Sequence, residues 1–164
     1  MISEKIQSAI NDQIKAEFDS SFIYLAMAAY CDSLNFKGFG FWFKKQAEEE
    51  LGHAHKFIEY LNDRGGRVII GGINTPAQDY GSVMGAFQKA LEHEKYITGR
   101  INSIYDLAMA EKDYATQERL NWYVKEQVEE EATASEMLEM IKMGGDKPGN
   151  LMYLDRHAAK RGQK

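Results

Sequence analysis

One cysteine, two prolines and no long apolar run set the first limits on this chain of 164 residues. With Cys31 alone no internal disulfide can form, so a reducing compartment fits, and Cys31 is expected to be a small apolar helix residue. Two prolines interrupt little, which suits long helices better than a turn-rich β fold. Nowhere do about 18 uncharged apolar residues run together, and the opening M-I-S-E-K-I-Q-S-A-I lacks the apolar core of a leader. We therefore expect no membrane partner and a soluble, cytoplasmic protein. Nor is there a basic block: the net charge is -5 and lysines and arginines are scattered among acids, which argues against nucleic acid as a partner.

Four segments carry apolar residues at helical spacing, each bracketed by start and stop signals. The first runs from Ser3 to Leu34, with Ile6, Ile10, Ile14, Phe18, Leu25 and Ala28 along one stripe. The second, Lys37 to Arg64, stops at Gly65-Gly66. A third begins near Ser82 and carries Phe87, Leu91, Ile97, Ile101, Ile104 and Ala108. The fourth starts near Ala115, carries Leu120, Tyr123, Ala134, Met137 and Ile141, and ends at Gly144-Gly145. Short links make two antiparallel hairpins. The link between the second and third segments is long enough to return along a helix of about 40 Å, so those two helices can run parallel. Its apolar run Val68-Ile69-Ile70 would then lie against the bundle or a partner subunit. Pro148 suits the first turn of a short fifth helix. The expected fold is all-α: a four-helix bundle over residues 1–146 with one long crossover, and a C-terminal helix and tail over 147–164.

The stripe of the second helix raises a chemical question. Phe43, Ala47, Phe57 and Leu61 should face a core, yet Glu50 and His53 share their side. Every other long helix repeats the anomaly, with Glu17, Glu94 and Glu130 set in apolar stripes near mid-helix, so that all four acids reach one level. The separation from Glu17 to Glu50 is 33 residues, as is that from Glu94 to Gln127, and the two hairpins superpose on an offset of 77. Under that offset Glu49-Glu50-Leu51-Gly52-His53 falls on Glu126-Gln127-Val128-Glu129-Glu130. Uncompensated burial of several carboxylates costs several kcal/mol per ion, and no Lys or Arg lies on the inward stripe at this level. A bound cation is the natural counter-charge. Glutamates plus one histidine favour a fairly hard transition ion, and E-x-x-H places Glu50 and His53 on one side of a helix, able to grip it together. Glu49 and Glu126 flank the inward face by the same angle in the two hairpins and can converge beside it. Glu48 and His55 point outward, and neither His93 nor His157 has a companion pattern.

These residues resemble the non-haem ferritins, most closely the prokaryotic type, over nearly the whole chain. The resemblance implies a ferroxidase centre in which Glu17, Glu50 and His53 hold the first iron, Glu50 bridges, and Glu94 and Glu130 hold the second with Gln127 close by. It places Tyr24 beside the centre and gives Glu49, Glu126 and Glu129 to a third iron site that shares Glu130. It further implies Fe(II) oxidation by dioxygen or peroxide, Fe(III) mineral storage, and self-assembly into a hollow 24-subunit cage. Where bacterioferritins and symmetric di-iron oxidases carry a second E-x-x-H, this chain has Gln127 and Glu130. Leu51 occupies the bacterioferritin haem-methionine position, so no haem is expected, and Met27, Met109, Met137 and Met140 are expected to be packing residues. Two rivals remain: a non-catalytic scaffold with a structural Zn(II) or Mn(II), and a rubrerythrin-like peroxide reductase. The second is weakened by the missing second E-x-x-H and the absence of any C-x-x-C pair.

Overall fold

The computed structural model describes residues 1–145 and 147–162. The expected boundary at Asp146 and the last two residues of the tail lie outside them. Five helices follow in order: α1 Glu4–Ser33, α2 Lys37–Asp63, α3 Val83–Ala110, α4 Tyr114–Gly144 and α5 Pro148–Ala158. Their ends are set by local chemistry. Ser3 caps α1 by accepting from the Ile6 amide, and Ser82 caps α3 by accepting from Gly85. The fourth helix starts one residue earlier than its apolar pattern suggests, because Asp113 accepts from the Thr116 amide. At its other end Gly145 takes φ +67°, a left-handed conformation that glycine adopts without the Cβ clash of other residues.

Side chains on α1 fix the path of the crossover. Gln7 accepts from the Arg67 amide at 2.8 Å, Asn11 from Ile69 at 2.7 Å and Asp19 from Asn74 at 2.8 Å. Tyr80 then meets Tyr30 edge to face at 5.4 Å. The connection thus climbs α1 from its N-terminal to its C-terminal end. It delivers α3 to the end where α2 began, so α2 and α3 run parallel. Within this path Val68 packs on the core, whereas Ile69 and Ile70 stay exposed. Those two do not lie against the bundle.

The helices bury two separate apolar clusters. One contains Met27, Phe39, Phe43, Phe87, Met137 and Ile141, and the other Ile6, Ile10, Phe57, Ile101, Leu120 and Tyr123. Between them lies a stratum of buried polar side chains, described below. Cys31 is fully buried in the first cluster, and burial pushes its thiol up to about 12, so it remains an inert packing group. Two expectations fail. Leu25 is exposed because Tyr24, Met27, Ala28 and Cys31 take the inward face of α1. Met109 is exposed beside the buried Ala108 and packs on nothing in the core.

The fifth helix docks closely on the start of α2. Leu154 and Ala158 enter the first cluster, and Asp155 Oδ1 accepts from the Phe39 amide at 2.8 Å. Only glycine fits at position 38, since a Cβ there would collide with the Asp155 carbonyl. Among the described residues no helix is long and apolar enough to cross a membrane.

Candidate metal centre

Glu17, Glu50, His53, Glu94, Gln127 and Glu130 are all buried, between 1% and 5% exposed, in the polar stratum. Each of the four long helices contributes from near its middle. Helical spacing brings His53 Nδ1 to 3.3 Å from Glu50 Oε2, and the interhelical approach is fixed by Tyr123, whose hydroxyl donates to the His53 carbonyl at 2.8 Å. Three groups of potential ligands result, each with its donor atoms within 4.8 Å of one another: Glu17, Glu50 and His53; Glu50, Glu94 and Glu130; and His53, Glu126 and Glu130. Glu50 belongs to the first two. A carboxylate shared by two adjacent three-donor groups is the arrangement needed to bridge two cations.

The electrostatics call for such cations. Burial, then the neighbouring Glu50 charge, push the Glu17 carboxyl from its ordinary 4.5 up to about 8. Glu130 is pushed up to about 7 by burial and Glu94. Glu50 and Glu94 are raised as well, chiefly by burial. Glu17 Oε2 has no hydrogen-bond partner although it is buried. Glu17 is grouped with Glu50 and His53, so its orphaned buried oxygen is a free donor that a hard divalent ion would satisfy while relieving the repulsion.

Several neighbours hold these acids in place. Tyr24 donates its hydroxyl to Glu94 Oε1, and Gln127 Nε2 donates to Glu94 Oε2 at 3.2 Å. Gln127 therefore serves here as a neutral donor to a carboxylate. Two residues that the sequence reading passed over do the same: Gln13 donates to Glu17 at 2.8 Å, and Gln46 donates to Glu50 at 3.0 Å and to Glu130 at 2.6 Å. Both stand four residues before an acid and 33 residues apart, so a Q-x-x-x-E echo was present in the sequence. His93 was also passed over. It is bonded to Ser20 at 2.7 Å, with its ring 5.8 Å from that of Tyr24, and burial pushes its pKa down to about 4.

At the outer edge the picture differs from the four-acid third site. Glu126 reaches 3.8 Å from His53 Nε2, but Glu49 and Glu129 are exposed and do not join the groups above. Glu49 is paired at 2.7 Å with Arg161, so a cation does approach this level, from the C-terminal turn. A groove of about 800 Å³ lies elsewhere, between α1, α3 and the crossover, and none of the central acids lines it.

Comparison with known proteins agrees with this geometry. The family described as Ferritin-like domain matches residues 7–144. The chain belongs to the ferritins. It is 42% identical over 161 residues to the bacterial non-heme ferritin of Bacteroides fragilis (strain 638R), covering 98% of this chain and 100% of that one. To the bacterial non-heme ferritin of Staphylococcus epidermidis it is 36% identical, covering 98% and 97%. The open pore ferritin of the archaeon Archaeoglobus fulgidus superposes with a TM-score of 0.96 at 43% identity, over 97% of this chain and 98% of that one. The all-α bundle with a short C-terminal helix is thus a ferritin fold. In this ferritin the sharing of Glu50 by two donor groups is its own geometry, independent of the relatives.

Proposed function

We propose that this ferritin is a cytoplasmic iron-storage protein with ferroxidase activity: it binds Fe(II) at the central acids, oxidises it with dioxygen or peroxide, and stores Fe(III) as a mineral inside a self-assembled cage. Iron is the substrate and the cargo. The observation that carries the reading is Glu50, common to two three-donor groups lined by Glu17 and His53 on one side and Glu94 and Glu130 on the other. Two Fe(II) ions held there give one electron each to dioxygen, which takes up two protons and leaves as hydrogen peroxide. If peroxide is the oxidant, the same two electrons and two protons yield water. Carboxylates favour the harder Fe(III) product, and the protein's part is to hold two ions close and keep the acids oriented. Tyr24 and Gln127 orient Glu94, and Gln13 and Gln46 orient Glu17, Glu50 and Glu130. Glu49, Glu126 and Glu129, with Glu130, would form an outer station on the way from the centre.

Self-assembly is supported by apolar side chains left uncovered on α1, α2 and the crossover. Phe22 and Leu25 on α1, Leu51 on α2, and Ile69 and Ile70 on the crossover are all exposed. The test is direct. Fe(II) added in air should be oxidised rapidly by the wild type and at least tenfold more slowly, about 1.4 kcal/mol in barrier, by Glu17→Ala, Glu50→Ala or His53→Ala. Wild-type rates in all three variants would overturn the reading. Size-exclusion chromatography should give a particle of roughly half a megadalton, a multiple of the 18.7 kDa subunit.

A further inference from the structure

Of the three glutamines that serve the centre, Gln13 and Gln46 are each held from behind by an arginine. Arg100 Nε donates to Gln13 Oε1 at 2.9 Å, and Arg161 Nη2 donates to Gln46 Oε1 at 2.6 Å. With the carbonyl oxygen engaged by a guanidinium, each amide has only its NH2 to offer the acids. The two arginines otherwise differ. Arg100 sits within α3 and bonds no acid of the centre. Arg161 lies in the turn after α5, its guanidinium 4.2 Å from the centre of the Trp42 ring, with Nη1 donating to the Trp42 carbonyl at 3.2 Å. Its Nη2 is shared between Gln46 and Glu49 Oε2, the latter at 2.7 Å. Glu49 is thereby engaged by Arg161, and it stands outside the group of His53, Glu126 and Glu130 that it would need to join to complete an outer metal station.

We propose that Arg161 is a built-in counter-cation of the outer station: it occupies Glu49 while no metal is there, and a metal that takes Glu49 displaces it and loosens the C-terminal turn. This rests on the ferroxidase reading, in which the displacing ion is iron leaving the centre. The physical ground is competition. A divalent ion and a guanidinium on one carboxylate, within about 5 Å of each other, repel, and the buried side of Arg161 limits the screening although Glu49 is exposed. The turn is also suited to release: among the described residues Lys160 and Arg161 each donate one backbone bond, to His157 and Ala158, and the guanidinium ties the turn to α2. Outer-site occupancy and docking of this turn would then be mutually exclusive.

Zinc(II), which cannot be oxidised, is the probe, titrated into the assembled protein by calorimetry. In Arg161→Ala the third zinc should bind about three- to tenfold more tightly than in the wild type, as expected for removal of one competing ion pair. The inner pair should not tighten, because Arg161 also holds Gln46, which orients Glu50 and Glu130. Arg161→Lys, which keeps the charge without the planar fork, should fall between, and Arg100→Ala should leave the third zinc unaffected. In the wild type, hydrogen exchange at the Lys160 and Arg161 amides should quicken on adding the third zinc and not the first two. Unchanged or weaker third-site binding in Arg161→Ala, which would mean the guanidinium supports Glu49 as a ligand, overturns the proposal, as does exchange that ignores the third zinc. Failure of the inner pair to bind at all would instead sink the ferroxidase reading, and this inference with it.

Discussion

Loading the centre with metal should expel protons, in a number that the surroundings of two acids set. With Glu17 at about 8 and Glu130 at about 7, these carboxyls carry about 0.9 and about 0.5 of a proton at pH 7. A metal needs both as carboxylates. Zinc(II) binding to the inner pair at pH 7 should therefore release at least about 1.4 protons per subunit, more where Glu50 and Glu94 contribute, since both are raised in the same direction. At pH 9 the contribution of Glu17 and Glu130 should fall to about 0.1. Apparent affinity should accordingly climb as pH rises from about 5 to about 8 and then level off. Calorimetry in two buffers of different ionisation enthalpy counts the protons, and Glu17→Gln should lower the count at pH 7 by about 0.9. Release below about half a proton, or an affinity flat in pH, would refute the claim that these acids are buried and mutually repelled. The same shifts bear on the metal-free fold. Folded Glu17 keeps a proton that the unfolded chain gives up above its ordinary 4.5, so this source of stability is fully present below that pH and is lost as pH rises through about 8.

Two further changes test other parts of the molecule. Gly38→Ala should detach α5 through collision with the Asp155 carbonyl, destabilising the subunit by about 1 to 3 kcal/mol in thermal unfolding; a wild-type melting temperature with α5 still protected from exchange would contradict the close packing. The double change Gln127→Glu with Glu130→His, which completes a second E-x-x-H, should yield a centre that keeps both irons for hours after oxidation and fills the mineral core poorly. Equal retention of the second iron by the wild type would count against a centre built to pass iron on.

Most of the frame could be read from the chain because its signals are local. Ser3, Ser82 and Gly145 mark ends by bonds to residues three positions away, and the return of the crossover follows from its length alone. The central acids were legible for a related reason: near mid-helix on parallel or antiparallel rods of similar length, they must meet. Leu25 misled because α1 is 30 residues long, and a stripe drawn at fixed spacing drifts around so long a helix. Arg100 and Arg161 were hidden for the opposite reason. Each reaches its glutamine from a distant segment, and Arg161 arrives only because Gly38 lets α5 settle on α2.

The apolar interior of this subunit comes in two halves with a wet-chemistry layer between them. Met27, Phe39 and Phe87 lie in one half, Ile10, Phe57 and Ile101 in the other, and the acids, glutamines and serines of the stratum keep them apart. Residues separated by such a layer share no packing partners, so changes in the two halves act almost independently and their stability effects add. The bundle can thus alter its tolerance of heat through either half without moving the acids in the middle. The placement of the central donors is insulated from the repacking that accumulates wherever a protein adapts to a new environment.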